Sequence, residues 1–180
     1  MRICVFCGSS RTSTQRYTDV AASLGRLLVR RRIGVVYGGA SVGTPGALAD
    51  AVLAAGGEVI GVIPRAMMAP EVAHSRLTQQ HVVEGMHERK ALMSALSDAF
   101  LALPGGAGTF DELFEAWTWR NVGLHDKPIG VLDADGFYAP LLAQIERMSD
   151  DGFLPDEDRA RLLVDDDLGR IVDRLCEPLG

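Results

Sequence analysis

Cysteine, lysine and aromatic side chains are scarce in this chain, and each scarcity excludes something. The three cysteines, Cys4, Cys7 and Cys176, are too few and too scattered for a disulfide framework. Cys4-Val5-Phe6-Cys7 has C-x-x-C spacing, yet it lies along an apolar strand and its turn, and no second pair completes a zinc site. Redox and metal chemistry are therefore not expected. Aromatics make up 6% while Gly and Ala are plentiful, as in tightly packed α/β layers. No run approaches the ~20 apolar residues of a membrane span, and the N-terminus enters a strand without a charged-then-apolar leader. A cytoplasmic location with no membrane partner is expected. Basic residues are also in deficit, with 18 Lys and Arg against 24 Asp and Glu for a net charge of -6. Clustered Lys and Arg drive binding to a nucleic-acid polymer, so such a partner is disfavoured, whereas a small anion in a local pocket is not.

What is present is an alternation of short apolar runs with helical patterns. With 180 residues, one domain spanning 1–180 buries roughly 70% of its unfolded surface. Strands are expected at 2–6, 33–37, 58–63, 99–103 and 128–132, with a short one at 82–84. Helices are expected at 14–31, 47–55, 86–96, 110–120, 137–149 and 168–176. On the helix expected at 86–96, Met86, Ala91, Leu92, Ala95 and Leu96 form the expected buried stripe. The stretch 66–80 reads as a long loop over the site, and within it Glu71 is a lone acid. Strands alternating with helices throughout predict an α/β, Rossmann-like, doubly wound domain. Its sheet is mostly parallel, between two helical layers.

Three strands run into glycine-rich or small-residue turns. The first ends at Cys7-Gly8-Ser9-Ser10, the second at Gly38-Gly39-Ala40-Ser41-Val42-Gly43-Thr44-Pro45-Gly46. The fourth long strand ends at Pro104-Gly105-Gly106-Ala107-Gly108-Thr109-Phe110-Asp111-Glu112. Glycines there allow positive φ and close backbone approach, and a helix N-terminus adds N–H groups and partial positive charge. The spacing and lysine of a nucleoside-triphosphate P-loop are missing, as is the G-x-G-x-x-G dinucleotide fingerprint. A monophosphate fits better. Glu112 is not needed for a phosphate cradle, so it suggests chemistry beside the phosphate. The competing reading is a capping box, with Thr109 at N-cap and Glu112 reaching back.

A second cluster, Met86-His87-Glu88-Arg89-Lys90, opens a helix. Lys90 and Lys127 are the chain's two lysines, against sixteen arginines, so a retained lysine merits a functional hypothesis. Against it stands a solvated surface charge. Arg89 and Lys90 are adjacent and point about 100° apart around the helix.

The paired P-G-G-x-G-T-x-x-E and M-x-x-R-K motifs make the sequence resemble the Lonely guy (LOG) family of cytokinin-activating phosphoribohydrolases, over nearly its whole length. Cys4 to Ser10, Gly61-Val62-Ile63-Pro64 and His125-Asp126-Lys127-Pro128 carry the same resemblance. It implies hydrolysis of the N-glycosidic bond of an N6-modified adenosine 5′-monophosphate, or of AMP, giving free base and ribose 5-phosphate. By this resemblance Arg89 and Glu112 are catalytic. Gly8, Ser9, Gly38, Gly39, Glu71, Lys90 and Thr118 belong to the substrate pocket, together with Gly105, Gly106, Ala107, Gly108, Thr109, Phe110 and Asp111. It implies no cofactor, no metal and a homodimer. The family's usual Y-G-G-G and Gly-Leu-Met-Gly are replaced here by Tyr37-Gly38-Gly39-Ala40 and Gly43-Thr44-Pro45-Gly46, which bears on substrate preference. The rival class is a non-catalytic nucleotide or pterin-cofactor carrier on the same fold. A carrier needs the glycine turns but not both ionic groups.

Overall fold

The computed structural model describes residues 1–10, 14–68 and 73–177. Among them, seven strands form one sheet: β1 (Arg2–Phe6), β2 (Gly34–Tyr37), β3 (Val59–Pro64), β4 (Gln79–Val83), β5 (Ala99–Ala102), β6 (Ile129–Leu132) and β7 (Leu162–Asp165). Their order is β4-β3-β2-β1-β5-β6-β7, and every neighbouring pair is parallel. The helices are α1 (Gln15–Arg30), α2 (Gly43–Ala54), α3 (Met86–Ala95), α4 (Ala107–Asn121), α5 (Ala139–Asp150), α6 (Asp156–Ala160) and α7 (Leu168–Cys176).

Both faces of the sheet are covered, so the strands read as continuous apolar runs. Ile3 and Val5 of β1 and Leu101 of β5 pack against Leu24, Leu48 and Ile171 from α1, α2 and α7. Cys4, Phe6 and Phe100 face the other layer, against Met93, Leu113 and Ile145 from α3, α4 and α5. These are the three layers expected, with one Rossmann-like reversal of strand order. It falls between β1 and β5, whose register pairs Phe6 with Ala102. In open α/β sheets the crevice at such a reversal, beyond the carboxyl ends, is where ligands bind.

The sheet is wholly parallel among the described residues, in line with the mostly parallel sheet expected. Three local expectations are corrected. Part of the supposed loop 66–80 is ordered: a 3-10 turn covers Arg65–Met67 and β4 begins at Gln79. The polar residues Gln79, Gln80 and His81 suit this edge position, where pairing with β3 supplies the stability that local pattern does not. Helix α2 starts at Gly43 instead of 47, because Pro45 sits in its first turn, where a missing N–H is tolerated. On α3 only Met93 is fully buried. Met86, Ala91 and Ala95 are exposed, with Leu92 and Leu96 half-buried.

Candidate active site

The turns after β1 and β5 leave the sheet side by side. The Leu103 N–H donates to Phe6 O at 2.9 Å, and the Gly8 N–H to Pro104 O at 3.3 Å. Gly105 is wedged inside this junction, since a Cβ there would collide with Thr109 Oγ1 and stand 2.8 Å from Gly8 N. At Gly106 a Cβ would meet nothing within 4 Å, so this residue faces the cleft. The turn works by lacking side chains and not by the positive φ expected of it: Gly106 is extended, at φ -94°. Positive φ occurs instead in the second turn, at Gly39 and Gly43.

Helix α4 begins at Ala107 with Gly106 as N-cap and no side-chain cap. That corrects the capping-box reading. Thr109 is the third helical residue, 4% exposed, and its N–H bonds to Gly106 O at 3.0 Å. By helix geometry the N–H groups of Ala107 and Gly108 have no intrahelical acceptor, which leaves donors of the kind that anions take at helix starts.

Glu112 is thereby free of a capping role and turns to α3. Its Oε1 lies 2.8 Å from Arg89 Nη1, with the two side chains 11% and 12% exposed. Burial pushes the Glu112 carboxyl above the usual range, opposed by the charge and hydrogen bond of Arg89. Arg89 is fixed on its other edges: Nε donates to Val62 O at 3.2 Å, and Nη2 fills the space beside Gly38. The second turn is itself pinned. Tyr37 Oη donates to Ala40 O at 3.1 Å, Ala40 bridges Ala73, and the His74 N–H donates to Gly39 O at 3.0 Å. Buried His74 sits with Nε2 3.3 Å from Asp50 Oδ1, while its Nδ1 accepts the Arg76 N–H.

These elements enclose a cleft of about 450 Å³. Of the expected residues, Gly8, Ser9, Gly38, Arg89, Gly106, Gly108, Thr109 and Glu112 line it. Gly39 and Gly105 stand behind the wall. Lys90 is turned away: its Nζ lies 3.1 Å from Asp111 Oδ2 and 3.0 Å from Glu115 Oε1, strapping α3 to α4. Ala107, Phe110, Asp111 and Thr118 line a shallow groove on the outside of α4. Glu71 lies outside the described residues.

The cleft also contains residues that were quoted in the turns and motifs or passed over, but not assigned to the pocket, among them Cys7, Ser10, Ala40, Pro45, Met67 and Met86. Their signal was positional, since most follow a strand's carboxyl end. Burial, with the nearby Glu112 charge, pushes the Cys7 thiol far up, which disfavours the thiolate that nucleophilic attack needs. Cys4 and Cys7 pack on opposite faces of the sheet, and no metal-holding group of three His, Cys, Asp or Glu exists among the described residues.

A desolvated carboxylate–guanidinium pair about one turn from an uncapped helix start, at a topological switch point, places the chain in the class of Rossmann-like α/β proteins whose cleft lies beyond the carboxyl ends of the sheet. The family model described as "Possible lysine decarboxylase" matches residues 46–175. The cytokinin riboside 5'-monophosphate phosphoribohydrolase of Rhodococcoides fascians is 45% identical over 177 residues, 98% of this chain and 89% of that protein. LOG5 of Arabidopsis thaliana, with the same activity in its name, is 48% identical over 158 residues, 88% of this chain and 69% of that protein. The chain belongs to this family, the Lonely guy (LOG) phosphoribohydrolases. Among solved structures, the molybdenum cofactor binding protein of Rippkaea orientalis has a TM-score of 0.73 at 20% identity, covering 97% of this chain and 94% of that one. The molybdenum cofactor carrier protein of Chlamydomonas reinhardtii has 0.72 at 20%, covering 97% and 96%. At that identity the likeness shows the fold alone.

The decarboxylase description does not fit the residues present. A pyridoxal Schiff base needs a lysine in the cleft. Lys90 is held by Asp111 and Glu115, and Lys127 Nζ donates to Ser94 O at 2.6 Å.

Proposed function

We propose that this protein hydrolyses the N-glycosidic bond of adenosine 5′-monophosphates, N6-modified ones included, to free base and ribose 5-phosphate. The observation that carries the reading is the buried Arg89–Glu112 pair beside the first turn of α4. The phosphate is held by the N–H groups of Gly106, Ala107 and Gly108 and by Thr109, with Gly8 and Ser9 on the opposite side. Cleavage develops positive charge on the ribose, which the Glu112 carboxylate stabilises or uses while activating water. Arg89 keeps that carboxylate ionised in a desolvated site and faces the ribose and leaving base. Lys90 supports the site indirectly, by holding α3, which carries Arg89, on α4, which carries Glu112.

Free base released from AMP or N6-isopentenyl-AMP, detected by chromatography, tests this. Tight binding without release would favour the carrier reading. Against a carrier stands the buried Arg89–Glu112 pair, since a carrier needs the glycine turns but not both ionic groups.

A homodimer is part of the same reading. Met86, Val122 and Leu124, at the ends of α3 and α4, are exposed large hydrophobics, and Phe110, Asp111 and Thr118 share the outer face of α4. A monomeric mass in light scattering at micromolar concentration would refute it. No helix among the described residues is long and apolar enough to cross a membrane. Free thiols at Cys7 and Cys176 accord with a reducing, cytoplasmic location.

A further inference from the structure

Tyr138 stands between β6 and α5, outside the cleft, with no exposed surface. Its hydroxyl donates to Leu103 O at 2.6 Å. Leu103 is the last residue before the glycine turn and one beyond the end of β5, so the sheet ladder does not supply its carbonyl with a partner. The Tyr138 ring meets Phe110 edge-on, with centroids 5.7 Å apart and planes at 62°. Phe110 lies in the first turn of α4, on the far side of the same glycine turn. Phe137 packs on the ring as well, at 5.0 Å, and the Tyr138 N–H is tied to Asp133 Oδ1 at 2.6 Å. One side chain, itself held from two directions, therefore touches both ends of the segment 103–110.

Within that segment the constraint is needed. Gly106 and Gly108 have no Cβ contacts to hold them, and the helix starts without a side-chain cap. A glycine-rich backbone has many conformations to lose, and an anion seat is effective in proportion to how little it must reorganise. Burial pushes the phenol's pKa upward, so the hydroxyl remains a donor throughout the neutral range.

We propose that Tyr138 is a positioning residue for the phosphate seat: through Leu103 O and Phe110 it sets the direction of the Gly106–Gly108 N–H groups without touching the ligand. This rests on reading the cleft as a nucleoside-monophosphate site.

Tyr138→Phe keeps the ring and removes the hydroxyl. Binding of ribose 5-phosphate, measured by calorimetry, should weaken about tenfold, because a turn no longer held by the hydroxyl must be ordered on binding. The kcat/KM for AMP should fall alongside, while residual hydrolysis of adenosine, which has no phosphate to seat, stays within about twofold. Ile145→Val, a core truncation in the same layer, should leave ribose 5-phosphate binding unchanged and controls for lost stability. Should Tyr138→Phe not fold, Phe110→Leu, which removes the ring contact alone, must weaken the same binding. Unchanged binding in a folded variant, or equal losses for AMP and adenosine, would overturn the proposal. Wild-type protein that fails to bind ribose 5-phosphate would overturn the nucleotide reading instead. Amide exchange then still judges Tyr138, because Tyr138→Phe must accelerate exchange over 105–109 and not in β3.

Discussion

Arg89 occupies the space that a side chain at Gly38 would take: a Cβ built there collides with its Nη2. The second glycine turn is thus a seat for an arginine as much as for a ligand. Gly38→Ala should expel the guanidinium from beside Glu112 while leaving the sheet intact. Removing one preorganised electrostatic partner typically lowers kcat roughly a hundredfold, and that is the expected loss for AMP cleavage. Ribose 5-phosphate binding should stay near wild type, because the α4 N-terminus is untouched. Wild-type turnover in Gly38→Ala would show that Arg89 acts from another position.

The fold was legible because β1 and β5 are buried on both faces and appear as unbroken apolar runs between helical patterns. Arg89 and Glu112 were legible as a motif pair, but not their contact, which depends on α3 and α4 lying on one face of the sheet. Thr109-x-x-Glu112 has capping-box spacing, and local chemistry alone favours that reading. Tertiary packing overrides it: Gly8 and Thr109 close on Gly105, so α4 starts at Ala107 and Glu112 is presented to Arg89. Of the Gln79–Val83 strand only the apolar end was expected, as a short strand at 82–84, because Gln79, Gln80 and His81 gain their stability from β3 alone. The exposure of Ala91 and Ala95 depends on which side of α3 meets the sheet, and the periodicity of small residues does not specify that.

Lys90 offers a test of strap against ligand contact. Burial works against its charge, but hydrogen bonds and attraction from Glu115 and Asp111 outweigh this and raise its pKa. Lys90→Met should loosen α3 from α4 and lower kcat for AMP several-fold, with ribose 5-phosphate affinity unchanged. The double change Asp111→Asn with Glu115→Gln should reproduce it, since both remove the same strap. A rise in KM at constant kcat, seen only in the lysine variant, would instead place Lys90 on the substrate.

Glu112 links stability to pH in a direction that can be worked out. Its folded pKa is raised above the ordinary 4.5, so the protonated group favours folding. That contribution is complete below the unfolded pKa and is lost as pH rises through the folded one. At neutral pH the buried carboxylate is therefore a net cost that Glu112→Gln relieves. The variant should melt at or above wild type at pH 7, with the difference closing as pH falls toward 4.5. Base release should be abolished and ribose 5-phosphate binding kept. In wild type the acid limb of kcat/KM should lie above the ordinary carboxylate range, because the ionised form is the working one. A variant less stable at pH 7 by more than about 1 kcal/mol would mean that loss of the Arg89 pair outweighs the relief.

The two glycines at the head of α4 separate ligand binding from folding. A Cβ at Gly105 would strike Thr109 Oγ1 and press on Gly8 N, so Gly105→Ala should destabilise the junction of the β1 and β5 turns and lower the melting temperature. A Cβ at Gly106 would meet no protein atom within 4 Å and the backbone there is extended, so Gly106→Val should fold, losing about 1 kcal/mol for a poorer N-cap. Its side chain would project over the N–H groups of the first helical turn and hold an anion off them. Ribose 5-phosphate and inorganic phosphate, expected to compete with AMP on wild type, should therefore lose affinity at least about tenfold in this variant. Because the phosphate's binding energy also orients the ribose against Glu112, kcat for AMP should fall with it, while adenosine, already a far poorer substrate, should be little changed. Comparable kcat/KM values for adenosine and AMP on the wild-type protein would remove the phosphate from the mechanism and make this a nucleoside hydrolase.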